Sequence, residues 1–296
     1  MTKTATKADK FTMIVFYVFL SLVTLFCILP IILAISGSFS NETSITLKGF
    51  SILPRDFSFD TYKYIFENQG YMIGNAYKVT ILVTVLGTLL SVCITTSYAY
   101  VVSVKDFKHA NKLAFFAYFT MLFNGGMLPW YLVCTQYLGL KDSLQALILP
   151  YSINVFYMYL QRNFFKGLPY ELTESAKIDG AGHFRIFIQI MLPLSKAGIV
   201  TITLFYALQF WNDFYLPLML INDTELYSMQ YILYKMMSNI QYLAANPSGN
   251  YSSHIILPAQ TIKMAITCIA IGPIVLVYPF VQKYFVKGVT IGAIKG

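Results

Sequence analysis

Six stretches of the chain stay apolar for about as long as a helix needs to cross a membrane. They are Phe11–Ser36, Val79–Val104, Leu113–Gln136, Leu144–Gln161, Ala197–Ile221 and Met264–Gln282. A hydrocarbon core of about 30 Å needs roughly 20 apolar residues in a helix, so the pattern predicts six transmembrane helices. Lys3, Lys7 and Lys10 before the first run, and Ala34-Ile35-Ser36 near its end, imitate a cleaved signal peptide. Signal h-regions are only about 7–15 residues, so an uncleaved helix is expected. Two connections are long. Residues 37–78 hold Pro54 and several aromatics and are expected to lie over the outer end of the bundle. In 222–258, Leu226–Leu243 reads as an interfacial or re-entrant helix, followed by the turn formers Asn246-Pro247-Ser248-Gly249-Asn250. In the third run Gly125-Gly126 and Pro129 interrupt the helical pattern, which fits a pathway wall or gate and equally a packing kink.

Composition makes this an all-α integral membrane protein. The chain is 57% hydrophobic and 11% charged, against about 45–50% and about 25% in soluble domains. The net charge of +8 would raise nucleic acid as a partner in a soluble protein. Here the basic residues lie between apolar runs, so nucleic acid is set aside. With the N-terminus inside, segments 1–10, 105–112, 162–196 and 283–296 carry 14 of the 21 basic residues. That excess predicts both termini in the cytoplasm. Cys27, Cys93, Cys134 and Cys268 sit inside apolar runs without metal-site or disulfide spacing, and read as small hydrophobes.

No catalytic constellation accompanies the spans. The sequence has no Gly-x4-Gly-Lys-Ser/Thr phosphate loop, His-Glu-x2-His helix or Gly-x-Ser-x-Gly elbow. His109, His183 and His254 are scattered, and no metal site or cofactor is expected in this chain. A membrane-embedded enzyme is therefore disfavoured. So is a self-sufficient channel or secondary transporter, which would show intramembrane charge pairs or inverted repeats. The informative segment is the loop at about 166–195. Pro169 suits a first helical position, Glu171 and Glu174 suit the positive end of a helix dipole, and Gly180 and Gly182 suit the turn that ends it. A second apolar helix follows, closed by Pro193. Ser175, Ala176, Gly180 and Ala181 are small enough for another surface to approach the backbone. The segment reads as a docking knob or as an interfacial helix on the inner leaflet.

The spacing Glu174-Ser175-Ala176-x3-Gly180-x9-Ile190-x-Leu192-Pro193 resembles the EAA loop of ATP-binding-cassette importer permeases, with Ser175 replacing an alanine. Leu168-Pro169-x-Glu171-Leu172, Trp211-Asn212-Asp213-Phe214 with Pro217-Leu218, and the ending Lys287-Gly288-x3-Gly292-Ala293-x-Lys295-Gly296 are similar to the carbohydrate branch, MalG-like. Phe123-Asn124-Gly125-Gly126-Met127-Leu128-Pro129 leans toward the LplC/YtcP group, associated with complex oligosaccharides.

The resemblance implies a MetI-like, type I importer permease fold in the bacterial plasma membrane. Residues 1–78 would be an N-terminal helix with its external loop, and 79–296 a five-helix permease core. Two permease subunits would form one path, above a dimer of ATPase subunits that bind ATP and Mg. An external sugar-binding protein would deliver an oligosaccharide, with another cargo such as a peptide as the alternative. Glu171, Glu174, Ser175, Ala176, Gly180, Ile190, Leu192 and Pro193 would couple to the ATPase. The tail, Lys287, Gly288, Gly292, Ala293, Lys295 and Gly296, would dock between the ATPase subunits; its residues alone read as a basic end near anionic lipid.

For the substrate path, aromatic faces that stack on sugars suggest Trp130, Tyr131, Tyr151 and Trp211, with Asn154 and Asn212 as hydrogen-bonding partners. Asp213, eight residues from the end of its run and so about 12 Å deep at a rise of 1.5 Å per residue, should face the interior and find a partner. Sugar hydroxyls and a structural pairing both fit it.

Overall fold

A computed structural model of the chain describes residues 7–245, 260–273 and 275. Among these residues the regular elements are helical, apart from an isolated antiparallel bridge between Ser40 and Phe57. They fall into two compact units. One holds the residues up to Tyr71 with Lys235–Pro273, and the other holds Met72–Tyr234.

The first unit opens with α1 (Lys7–Ser38), which carries Pro30 within it. At 1.5 Å per residue its 32 residues reach about 48 Å. Its side chains from Phe11 to Ile32 are all exposed, and a helix apolar on every side suits lipid. A short α2 (Glu42–Lys48) is capped by Asn41, whose side chain accepts from Thr43 N at 3.0 Å. The Glu42 carboxylate accepts from the backbone N–H groups of Gln260 and Thr261, at 3.0 and 2.8 Å. It thereby satisfies donors that open the helical run 260–273. Only that part of the expected sixth span lies among the described residues. The tail from Lys287 and the turn at Asn246–Asn250 lie outside them.

α3 (Asp60–Val101) contributes its first turns to this unit and the rest to the second. The expected loop 37–78 is thus helical from Asp60 onward. The 42-residue helix is about 63 Å long, roughly twice a hydrocarbon core. Ser58 Oγ accepts from Asp60 N at 2.9 Å, and Tyr62 donates to Ser38 Oγ at 3.0 Å. These polar contacts fix a helical extension that hydropathy alone does not mark.

In the second unit follow α4 (Ala110–Leu122), α5 (Met127–Leu132), α6 (Val155–Lys166), α7 (Glu171–Ile178), α8 (His183–Ile186), α9 (Leu192–Leu194), α10 (Lys196–Trp211), α11 (Tyr215–Leu220) and the start of α12 (Met229–Ala245), whose residues from Lys235 on belong to the first unit. The expected break in the third run lies between α4 and α5, where Gly126 has φ +89°. Pro129 sits in the first turn of α5, a position that tolerates it. The fourth run is not one helix. Residues Leu144–Leu147 and Leu149–Tyr151 form 3-10 turns, and α6 starts only at Val155, where Asn154 caps it. Pro150 has no N–H to give a continuing helix. The fifth run breaks between α10 and α11, so helical counting does not give the depth of Asp213. The stretch expected to be interfacial or re-entrant is α12.

Two of the described helical segments, Phe11–Ser38 and Asp60–Val101, are long and apolar enough to cross a membrane unbroken. A third would be His183–Leu194 with Lys196–Trp211, bent by 81° at the junction. Close packing holds α10 in place. A Cβ on Gly198 would stand 2.5 Å from the Phe164 ring of α6, and one on Gly87 would stand 2.7 Å from the Phe210 ring. Small residues at such crossings let helices approach where no hydrophobic force drives them together. A buried cluster of Ala99, Tyr100, Ala114, Met158, Phe165 and Ile186 joins α3, α4, α6 and α8, and Ala176 of α7 belongs to it.

Candidate functional site

The loop singled out by its spacing folds as helix, turn and helix. α7 begins at Glu171 with Tyr170 as its capping residue, so Pro169 stands just before the cap, not at the first helical position. Glu171 and Glu174 occupy the first turn, as a helix dipole favours. The helix ends in a Schellman arrangement: Ala181 N donates to Ala176 O at 2.9 Å and Gly180 N to Lys177 O at 3.0 Å. Gly180 has φ +77°, the left-handed conformation that this cap requires. Beyond Gly182, α8 passes through a π-turn, Phe187–Met191, into α9, which holds Pro193. A proline at 193 cannot donate to the Gln189 carbonyl and crowds it, which accounts for the widened turn before it.

Exposure separates two faces of this unit. Ala176, Ile186 and Met191 are buried, and Ile190 and Leu192 are partly buried against the same cluster. Glu171, Glu174, Ser175, Gly180 and Pro193 are exposed. Ile178 is 86% exposed and Phe184 78% exposed, on either side of the Gly180 turn. Two large apolar side chains at the tip of an otherwise polar turn make a surface suited to burial by a partner. They are not arranged for catalysis.

The unit is tied down from a distant part of the chain. Asp106, in the segment after α3, accepts from the Tyr170 hydroxyl at 2.9 Å and from Lys177 Nζ at 2.5 Å, so one carboxylate holds both ends of α7. Lys105 Nζ lies 4.3 Å from the centre of the Tyr170 ring. Tyr100 donates to the His183 carbonyl at 3.2 Å, fixing the start of α8. Lys177 and then Tyr170 hold the Asp106 carboxyl below its usual value, while Asp106 raises both Lys177 and Tyr170. The Asp106 contribution is complete above the free carboxylate pKa and is lost only as pH falls through the depressed one. That of Lys177 is complete below the free lysine pKa and is lost as pH rises through the raised one. The tie therefore does not titrate between about pH 5 and pH 9.

The residues expected to line a substrate path separate into two groups. Asp213 lies in the break before α11. Its Oδ1 accepts from Tyr215 N at 3.1 Å and its Oδ2 from Leu216 N at 3.3 Å. The Tyr151 hydroxyl donates to the same carboxylate at 3.3 Å. Trp130 packs on the Tyr215 ring with centroids 5.8 Å apart, so Trp130, Tyr151 and Asp213 come together through Tyr215. The two asparagines are engaged with backbone. Asn154 Oδ1 accepts from Phe156 N and Tyr157 N, and Asn212 Nδ2 donates to Leu208 O at 2.9 Å. Tyr131 is half-buried on α5. Trp211, at the end of α10, keeps a buried indole N–H without a protein acceptor.

α3 adds a feature that hydropathy hides. Thr80, Thr84, Thr88, Ser91 and Thr95 recur every three or four residues, the period of one helix face. Thr80 Oγ1 accepts from Met229 N at 2.9 Å, and Thr95 Oγ1 is 2.6 Å from the Tyr206 hydroxyl. The hydroxyls of Thr84 and Thr88 are buried without a partner. That recurrence is legible in the sequence. Nothing in the sequence, by contrast, joins Asp106 to Tyr170 and Lys177. Among the described residues no group of acids, cysteines and histidines is placed to hold a metal ion.

Comparison with known proteins bears on what this arrangement serves. A family model described as "binding-protein-dependent transport system inner membrane component" matches residues 112–291. The chain is 41% identical over 283 residues to the polygalacturonan/rhamnogalacturonan transport system permease protein YtcP of Bacillus subtilis (strain 168), covering 95% of this chain and 96% of that protein. It is also 41% identical over 291 residues to protein LplC of the same organism, covering 98% and 97%. Among solved structures, the crystal structure of a bacterial ABC transporter involved in the import of the acidic polysaccharide alginate contains a similar chain. The TM-score is 0.81 at 30% identity, covering 96% of this chain and 100% of that one.

Proposed function

The chain belongs to the family of binding-protein-dependent transport system inner membrane components, and on that premise we propose that it is a permease subunit of an ATP-driven importer of oligosaccharides. Membership makes it a membrane component of an ATP-binding-cassette transporter and not an enzyme. The chain crosses the bacterial plasma membrane six times with both termini inside. Residues 1–78 form its N-terminal helix and external segment, and 79–296 its permease core. A second permease shares the path, a pair of ATPase subunits binds ATP and Mg, and an external binding protein delivers cargo. The named cargoes of YtcP and of the alginate importer support an oligosaccharide over a peptide.

One observation carries the coupling role. The helix–turn–helix at 171–194 presents Ile178 and Phe184 to solvent and buries Ala176 and Ile186 in the core that joins α3, α4 and α6. A load on the tip is therefore passed to packed helices. Of the residues expected to couple to the ATPase, exposed Glu171, Glu174, Ser175 and Gly180 form the part that meets it; Ala176, Ile190 and Leu192 face the bundle instead, and Pro193, exposed, stands at the end of the second helix. The tail residues Lys287, Gly288, Gly292, Ala293, Lys295 and Gly296 add a second ATPase contact. Along the path, Trp130, Tyr131, Tyr151, Asn154, Trp211, Asn212 and Asp213 line or support the sugar route.

Co-purification from native membrane with a tagged chain tests this reading. A second permease and an ATPase should be recovered, and uptake should be measurable for neutral or uronate-containing oligosaccharides. Recovery of the chain alone, under conditions that keep other importers intact, would point instead to a stand-alone channel. The tie on α7 gives a finer check. Asp106→Asn keeps the size of the side chain but loses the ion pair with Lys177, and uptake should fall roughly fivefold, the low end of typical coupling effects. Asp106→Glu should restore part of it. Unchanged uptake and unchanged stimulated ATPase activity in Asp106→Asn would show that α7 transmits force without this anchor.

A further inference from the structure

At the end of the second unit that carries α7 lies a cavity of about 410 Å³. Its walls come from the last turn of α3 and the residues after it, the end of α6, and α7. Phe165, Leu168 and Met191 supply an apolar surface within it. Lys105, Lys166 and Lys177 contribute three ammonium-bearing side chains to the lining, against one carboxylate, Glu171. Asp106, paired with Lys177, adds a second negative charge nearby. Arg162, one helical turn before Lys166, adds a fourth positive one, its Nε donating to Val102 O at 3.0 Å. Burial, and then the Arg162 charge, hold Lys166 below the ordinary lysine value. Four cations thus gather around a cavity with three carboxylates to balance them, the third being Glu174, whose charge reaches Tyr170 in the lining. A bound anion would relieve that repulsion, and lysine ammonium groups favour phosphate oxygens.

We propose that this cavity binds a phosphate group through Lys105, Lys166 and Lys177, with the organic part of the ligand against Phe165, Leu168 and Met191. Two sources share that chemistry: the headgroup of an anionic phospholipid and a soluble phosphoester. Basic pockets at helix ends in membrane proteins accept such headgroups. A ligand here touches the segment after α3, the end of α6 and α7 together, and so adds to the tie made by Asp106. That consequence for coupling rests on the docking role given above; the binding itself does not.

The test reads occupancy. The purified protein, with whatever partners accompany it, is stripped of lipid by detergent exchange. It is then titrated with phosphatidylglycerol, followed by native mass spectrometry, and with radiolabelled inorganic phosphate, followed by equilibrium dialysis. At least one probe should bind once per copy of this chain. The double variant Lys105→Gln/Lys166→Gln should weaken that binding about thirtyfold, the scale expected for two basic side chains near an anionic group. Lys105→Arg/Lys166→Arg should retain it, as should Lys112→Gln, which removes an exposed charge outside the cavity lining. Binding of the lipid alone assigns a headgroup, and binding of phosphate alone assigns a soluble ligand. If neither probe binds stoichiometrically, or if the glutamine pair binds as the parent does, the site is refuted. A failure of the ATPase-docking reading would show in co-purification and leave this measurement interpretable.

Discussion

Replacing Gly180 with leucine should leave the chain inserted and its complex assembled while ATP-driven uptake falls about tenfold or more, within the range of typical coupling energies. The argument has two parts. Gly180 closes α7 at φ +77°, and an L-residue in that conformation costs about 1–2 kcal/mol. That strain is local and small beside the burial of Ala176, Ile186 and Met191. A Cβ built at Gly180 meets nothing within 4 Å, so a leucine there points into open space and not into the permease core. It obstructs whatever approaches the turn. Gly180→Ala separates the two effects, because alanine carries the cost of the left-handed region with little added bulk. Membrane level, basal ATPase activity and substrate-stimulated uptake would be compared for the parent, Ala and Leu forms. Normal uptake by the leucine form would end the docking assignment. Equal losses in the Ala and Leu forms would trace the defect to backbone strain instead.

Asp213→Ala should destabilise the protein by roughly 1–3 kcal/mol, the range for losing a helix cap together with a buried hydrogen-bond partner. The carboxylate accepts from two backbone N–H groups at the start of α11 and from the Tyr151 hydroxyl, and alanine would leave those donors unpaired. Asp213→Asn should keep the stability, since its side-chain oxygen caps almost as well. Thermal melting of the purified complex reads the stability, and uptake reads the path. A stable Asn form with impaired uptake assigns the negative charge to the cargo route. An Ala form as stable as the parent would show that the cap is not needed.

These two positions differ in how far a sequence reaches. The order of residues around Gly180 is local: an amphipathic helix, a glycine where the chain must turn left-handed, small residues before it, a proline closing the second helix. Each choice acts within a few residues, so the spacing alone locates the helix, its turn and the helix that follows. The same holds for the membrane class, because burying apolar segments in hydrocarbon depends on composition and length. It holds as well for the break at Gly125-Gly126, where flexible backbone interrupts an apolar run. Pro169 is the local exception, since the first helical residue is Glu171 and the cap is Tyr170.

Other features were decided by topology. Hydropathy places Val79–Val104 in the membrane but does not extend its helix to Asp60, because polar contacts such as Tyr62 with Ser38 reward that extension. It treats the runs after Leu144 and after Ala197 as continuous, although 3-10 turns at Pro150 and the capping acid Asp213 break them. An apolar run records only that its side chains suit hydrocarbon; whether its backbone continues as helix depends on which groups take up its N–H and C=O bonds. The anchor of α7 lies furthest beyond the sequence. Asp106 is 64 residues from Tyr170 and 71 from Lys177. The chain by itself specified a membrane permease with a helix–turn–helix between two of its apolar runs. Tertiary packing alone chose the carboxylate that steadies α7 and the Tyr151 hydroxyl that donates to Asp213, because partners so distant in sequence meet only once the helices have packed.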